Sequence, residues 1–109
     1  MKLVVAVVQD QDVANLLAAL TRAGHPATKL ASTGGFLREG NSTVLVGVEE
    51  EKVDSVIEVV RQTCRARRQL VTPLATVGRV EMSYFTEPVE VPVGGATVFV
   101  LDVEQFVKV

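Results

Sequence analysis

Two apolar stripes at helical spacing, each entered from a valine-rich run, constrain this chain most. Residues 3–8 are Leu-Val-Val-Ala-Val-Val, and residues 43–48 are Thr-Val-Leu-Val-Gly-Val. Short β-branched runs bounded by polar residues read as buried strands. After the first run, Val13, Leu16, Leu17 and Leu20 recur at i, i+3, i+4 and i+7. After the second, Val53, Val56, Ile57, Val60 and Cys64 do the same. Each set forms one apolar helical face, so each helix must lie on a sheet. Asp10 or Asp12 is expected to cap the first helix, and Gly24 and Pro26 to end it. Glu49, Glu50 and Glu51 open the second helix, where acidic side chains favour the N-terminal dipole. Arg61, Arg65, Arg67 and Arg68 lie toward its far end.

Strand-like residues 28–31 precede a turn-rich segment, 32–42. Residues 70–88 hold Pro73, Gly78 and Pro88 without periodicity and are expected to form a long loop; such loops are usually functional or mobile. Residues 89–93 and 96–101 flank Gly94-Gly95, the pattern of a hairpin with a tight turn. Residues 103–107 are expected to add a short helical turn. The order is βαββαβ with an extra strand from the C-terminal hairpin. That is the α+β, ferredoxin-like pattern, an antiparallel sheet with both helices on one face, expected as one domain over 1–109. Two helices cannot cover both faces of a valine-rich sheet, so a closed homo-oligomer packed on the bare face is the economical solution.

Composition excludes several functions. The chain has 109 residues, 48% of them hydrophobic and 22% charged, as in ordinary globular proteins. Eleven basic and thirteen acidic side chains give a net charge of −2, which leaves no cationic surplus for gripping a nucleic-acid polymer. The single His and single Cys are far apart in sequence, so neither a metal cage nor an internal disulfide is expected. The apolar run at residues 3–8 is too short for a signal segment, and no stretch reaches the ~20 apolar residues of a membrane helix. A cytoplasmic protein without membrane association is expected. No nucleophile–base pair, phosphate loop or dinucleotide fingerprint is present, so no enzymatic activity is expected.

The stretch TKLASTGGFLREGN (28–41) carries the most chemistry. Its glycines permit close backbone approach, and successive N–H groups can form an anion-binding concavity. Phe36 offers a face for a base. Asn41 can donate and accept at once, which matches an adenine edge, and Thr28 can reach a phosphate or sugar oxygen. The residues alone also allow a plain hairpin loop with Phe36 packed on a neighbour. For the other features the structural roles are favoured: a core thiol for Cys64, a surface or strand-edge place for His25, caps for Asp10 and Asp12, and a solvated helix end for the Arg61–Arg68 cluster. The cluster could instead bind an acidic partner or a phosphate.

With VVQDQD (7–12), GVEEEKVD (47–54), residues 69–73 and PVEVPVGGATVFVLDVEQF (88–106), this stretch resembles the cyclic-di-AMP receptors of the PII-like signal-transduction group. The pieces keep the family's order and spacing over nearly the whole chain. The resemblance implies a bacterial signalling protein, a homotrimer that binds cyclic di-AMP between subunits and answers an as yet unnamed protein partner through loop rearrangement. It places Thr28 against a phosphate or ribose. Gly35, Phe36 and Leu37 would line an adenine pocket, Asn41 would read an adenine edge, Gly47 would allow close approach, and Phe99 would line the same cleft. No cofactor or metal is implied.

Relatives commonly carry an arginine two residues before the threonine. Here that position is Pro26, which forgoes a charge-assisted contact of ~1.5–3 kcal/mol. Lys29, Arg22 or Lys108 of the partner subunit could compensate. Relatives also often show Met-Gly-Gly where this chain has Val77-Gly78-Arg79. These departures raise two alternatives: a sensor of another adenine nucleotide (ATP, ADP or AMP), or a trimeric interaction module without a ligand.

Overall fold

The computed structural model describes residues 1–30, 40–71 and 88–109. The elements are β1 (Lys2–Gln9), α1 (Asp10–Arg22), β2 (Thr28–Leu30), β3 (Asn41–Val48), a short 3₁₀ turn (Glu50–Lys52), α2 (Val53–Cys64), β4 (Arg67–Val71), β5 (Val89–Val93) and β6 (Ala96–Asp102). Strands β2, β3, β1 and β6 form a four-stranded antiparallel sheet in that order. This is the α+β, ferredoxin-like arrangement with additional strands.

The strand period of two sorts the sheet's residues onto two faces. Val4, Ala6 and Val8 of β1 and Val44, Val46 and Val48 of β3 are buried against the helices. Leu16 and Leu20 of α1 and Val56, Val60 and Cys64 of α2 complete this core. The helices therefore sit where their apolar spacing requires, on one face. The chain leaves α1 through Gly24, whose φ of +84° suits glycine, and the His25 N–H donates to the Leu20 carbonyl oxygen at 2.8 Å.

Several expectations need correction. The link at Gly94-Gly95 has positive φ at both glycines, +78° and +93°, as a tight turn requires. The strands it joins do not pair with each other, however: β5 pairs with β4, and β6 pairs with β1. The glycines thus carry the chain from a two-stranded arm to the main sheet. Leu70 and Val71 belong to β4, so the expected loop at 70–88 begins inside a strand, and residues 72–87 lie outside the described residues. Arg67 and Arg68 are strand residues and not a helix end. Residues 103–107 form no helical turn, and Phe106 and Val107 are 64% exposed. The 3₁₀ turn takes Glu50 and Glu51, so α2 starts at Val53.

The polar residues of the helices also differ from expectation. The N-cap of α1 is Gln9, with no side-chain cap bond. Asp10 instead accepts a hydrogen bond from the Ser42 hydroxyl at 2.5 Å. Asp12 is 2% exposed and receives both Nη atoms of Arg67, at 2.9 and 3.3 Å. His25 is buried rather than at the surface, with Nε2 3.0 Å from Ser55 Oγ. Cys64 is a core thiol, as expected, and burial pushes its pKa up.

Candidate functional site

In an antiparallel sheet, directly opposed residues point to the same side. The register therefore gives the composition of the face turned away from the helices. Leu45 of β3 is opposite both Thr28 of β2 and Val5 of β1, and Val5 is opposite Phe99 of β6. Thr28, Leu45, Val5 and Phe99 thus form one row across all four strands. Gly47 is opposite Leu3, and Asn41 is opposite Gln9. Thr28, Asn41, Gly47 and Phe99 consequently share one face of the sheet. Gly35, Phe36 and Leu37 lie outside the described residues.

This face is apolar and incompletely covered. Leu30, Phe99 and Leu101 lie on it and are 45%, 52% and 49% exposed. Alternation alone predicts that such a face exists; the register adds which residues meet on it. Among the described residues, a Cβ at Gly47 would meet nothing within 4 Å.

The four residues fall at different places on the face. Thr28 lies diagonally from Gly47 at the β2 edge, about 7–8 Å away by ordinary sheet geometry. Phe99 lies at the opposite edge, three strand spacings or about 14 Å from Thr28. Asn41 sits at the far end of β3, six residues and about 20 Å from Gly47. One protomer therefore does not gather all four around a single purine.

Asn41 is held on both sides by the start of α1. The Asp10 N–H donates to the Gly40 carbonyl oxygen at 3.1 Å, and Ser42 is tied to the Asp10 carboxylate. Beside Asn41 opens a cleft of about 350 Å³ lined by Val7, Gln9, Gly94, Gly95, Ala96 and Thr97. Gln9 Oε1 accepts the Gly94 N–H there at 2.6 Å. The involvement of Gln9 and the Gly94–Thr97 segment was not foreseen from the sequence. Their contacts span more than eighty residues of chain, and no local pattern carries them.

The charged groups near these positions are mostly engaged elsewhere. Arg61 pairs with Glu58, Arg67 with Asp12, and Arg68 with Glu90. The proposed solvated helix end is thus a set of ion pairs, with Arg65 the member lacking a salt bridge among the described residues. Asp12 holds the Arg67 guanidinium proton more firmly than usual. Lys2 pairs with Asp102 and Glu50 at the opposite end of β1, and the ammonium holds the Asp102 carboxyl below its ordinary range. Lys29 is opposite Val44, a residue of the helix-covered face. Its side chain leaves the strand on the side opposite to Thr28.

The ferredoxin-like sheet thus leaves one apolar face open, with polar groups at its margins. The comparisons give the family. The model of the cyclic-di-AMP receptor family matches residues 1–109, and the chain belongs to that family. It is also similar to a solved structure described as a functionally unknown protein from Pediococcus pentosaceus ATCC 25745. The two share 42% sequence identity, with 99% of this chain and 96% of that chain covered, at a TM-score of 0.79. Among the described residues no helix is long and apolar enough to cross a membrane.

Proposed function

We propose that this protein is a non-enzymatic sensor that binds cyclic di-AMP between the subunits of a homotrimer. The observation that carries the reading is the placement of Thr28 and Phe99 at opposite edges of one row on the open face. A ring of copies packed through that face brings the β2 edge of one protomer beside the β6 edge of the next. The separation within a protomer then becomes proximity between two. Burying Leu30, Phe99 and Leu101 drives the assembly.

In such a crevice Thr28 meets a phosphate or ribose oxygen, and Gly47 lets the ligand approach the strand. Asn41 reads an adenine edge by donating and accepting together. Gly35, Phe36 and Leu37 line an adenine pocket, and Phe99 supplies apolar wall. Binding shifts the loop region between β4 and β5, which a downstream protein partner reads; the shift requires different ligand affinity in the two arrangements. A bacterial, cytoplasmic setting is the one such a sensor serves.

Pro26 favours one other reading, a sensor of ATP, ADP or AMP, because its ring offers no positive charge to a phosphate. Thermal-shift titrations separate them. Cyclic di-AMP is expected to raise the unfolding temperature at micromolar concentration, with ATP, ADP and AMP inert and unable to compete. Displacement of cyclic di-AMP by a mononucleotide at equal concentration would reassign the ligand. A trimer indifferent to all four nucleotides would be an interaction module instead.

A further inference from the structure

Among the described residues, the arm made by β4 and β5 is fastened at its root by the Gly95 N–H donating to the Cys64 carbonyl oxygen and by polar contacts of Arg67 and Gly94. Arg67 opens β4 and grips the carboxylate of Asp12 with both Nη atoms. Its Nη1 also donates to the Arg65 carbonyl oxygen at 3.1 Å. A carboxylate as buried as Asp12 requires such a partner. On the other strand, Gly94 follows β5 and donates to Gln9 Oε1 at 2.6 Å. A Cβ at Gly94 would fall 2.5 Å from the Arg65 carbonyl oxygen, so the packing there admits glycine alone. Gln9 is the register partner of Asn41, and Asp12 is in the first turn of α1. Gln9 and Gly94 also line the cleft beside Asn41. The root of the arm and one end of the cleft thus share residues.

We infer that the Asp12–Arg67 ion pair and the Gln9–Gly94 hydrogen bond form a latch that couples the setting of the β4–β5 arm to occupancy of the cleft by a cyclic dinucleotide. The inference rests on the ligand reading given above. Gly94 and Gly95 form one wall of the cleft while Gly94 is held on Gln9. A ligand touching that wall binds the latched arrangement more tightly, and differential affinity of this kind shifts a two-state equilibrium. The coupling is reciprocal: loosening the latch weakens the ligand by the factor with which the ligand tightens the latch. Asp12 and Arg67 do not line the cleft, so they are positioning residues.

Hydrogen exchange of the full chain with and without cyclic di-AMP, paired with calorimetry, tests the latch in Asp12→Asn and Arg67→Lys. In the wild type the ligand slows exchange of the β4 and β5 amides. In Asp12→Asn that protection is lost and the dissociation constant rises about 10-fold, within the usual range of coupling. Exchange in β1 and β3 stays at the wild-type rate, which reports an intact sheet. Arg67→Lys keeps the charge but lacks the two-pronged grip, and shows the same changes to a smaller extent. Its side chain is 38% exposed, so this variant carries the comparison if Asp12→Asn does not fold. Wild-type affinity and full ligand protection of the arm in the variants would overturn the coupling alone. A wild type that binds no cyclic di-AMP would overturn the ligand reading and the coupling with it.

Discussion

Val5→Lys discriminates between a sheet face left in water and one covered by further copies of the chain. Val5 is central in the row that runs from Thr28 through Leu45 to Phe99. In a lone protomer the lysine stem lies along the sheet and its ammonium reaches water. The cost to folding is then within about 1 kcal/mol, the span of strand propensities. In the proposed trimer the same position would be covered. Phe99 illustrates what covering contributes. It is 52% exposed in the protomer, and an aromatic side chain buries ~150–250 Å². Covering that remainder removes about 100 Å² from water, or about 2.5 kcal/mol per protomer at ~25 cal/mol/Å². An uncompensated ammonium in that layer costs several kcal/mol per ion, and three copies converge on one axis. The expected outcome is a folded monomer. Light scattering after size exclusion should give about three times 11.7 kDa for the wild type and 11.7 kDa for the variant, with matching far-UV circular dichroism. A wild type of 11.7 kDa, or a Val5→Lys protein of trimer mass, would refute the reasoning.

Asn41→Ala should weaken cyclic di-AMP binding by about 5- to 150-fold in calorimetry, the equivalent of ~1–3 kcal/mol for a paired amide–adenine contact, while leaving the unfolding temperature of the free protein unchanged. Pro26→Arg should restore a charge-assisted phosphate contact of ~1.5–3 kcal/mol and tighten binding at least 10-fold; unchanged affinity would mean that position 26 does not face a phosphate. The folded Cys64 thiol has a pKa above its ordinary 9.0 because of burial. It should therefore react with disulfide reagents at pH 8 only once the chain is unfolded. The folded state holds that proton longer than the unfolded chain, so its contribution to stability is complete below about pH 9 and declines as pH rises further. Denaturant titrations should show a shallower alkaline decline in Cys64→Ala than in the wild type.

Local pattern was enough for the parts of this fold that local chemistry dictates. The valine runs at residues 3–8 and 43–48 lie within β1 and β3. The i, i+3, i+4, i+7 series placed Leu16, Leu20, Val56, Val60 and Cys64 in one core, and paired glycines at 94–95 supplied the positive φ of a turn. What local pattern could not show was pairing at long range. Val89–Val93 and Ala96–Asp102 look like a hairpin until β4 supplies a different partner for the first. The sequence Arg-Arg-Gln-Leu-Val of β4 gives little β signal, because its arginines are there to meet Asp12 and Glu90. Asp12 reads as a cap from its neighbours and is a buried ion-pair acceptor because Arg67, fifty-five residues later, reaches it. His25 is buried because Ser55 lies across from it. Of the residues singled out from the sequence, Thr28, Asn41, Gly47 and Phe99 lie on one face of the sheet. Their common face, and the edge-to-edge separation of Thr28 from Phe99, follow from the register alone.

Calorimetric titration of cyclic di-AMP into the wild type and into monomeric Val5→Lys tests most directly whether two protomers build the ligand crevice. The wild type should bind one ligand per protomer with a saturable heat, and the folded monomer should bind none. A silent wild type at high micromolar ligand, or a monomer that binds as tightly as the trimer, would contradict the account.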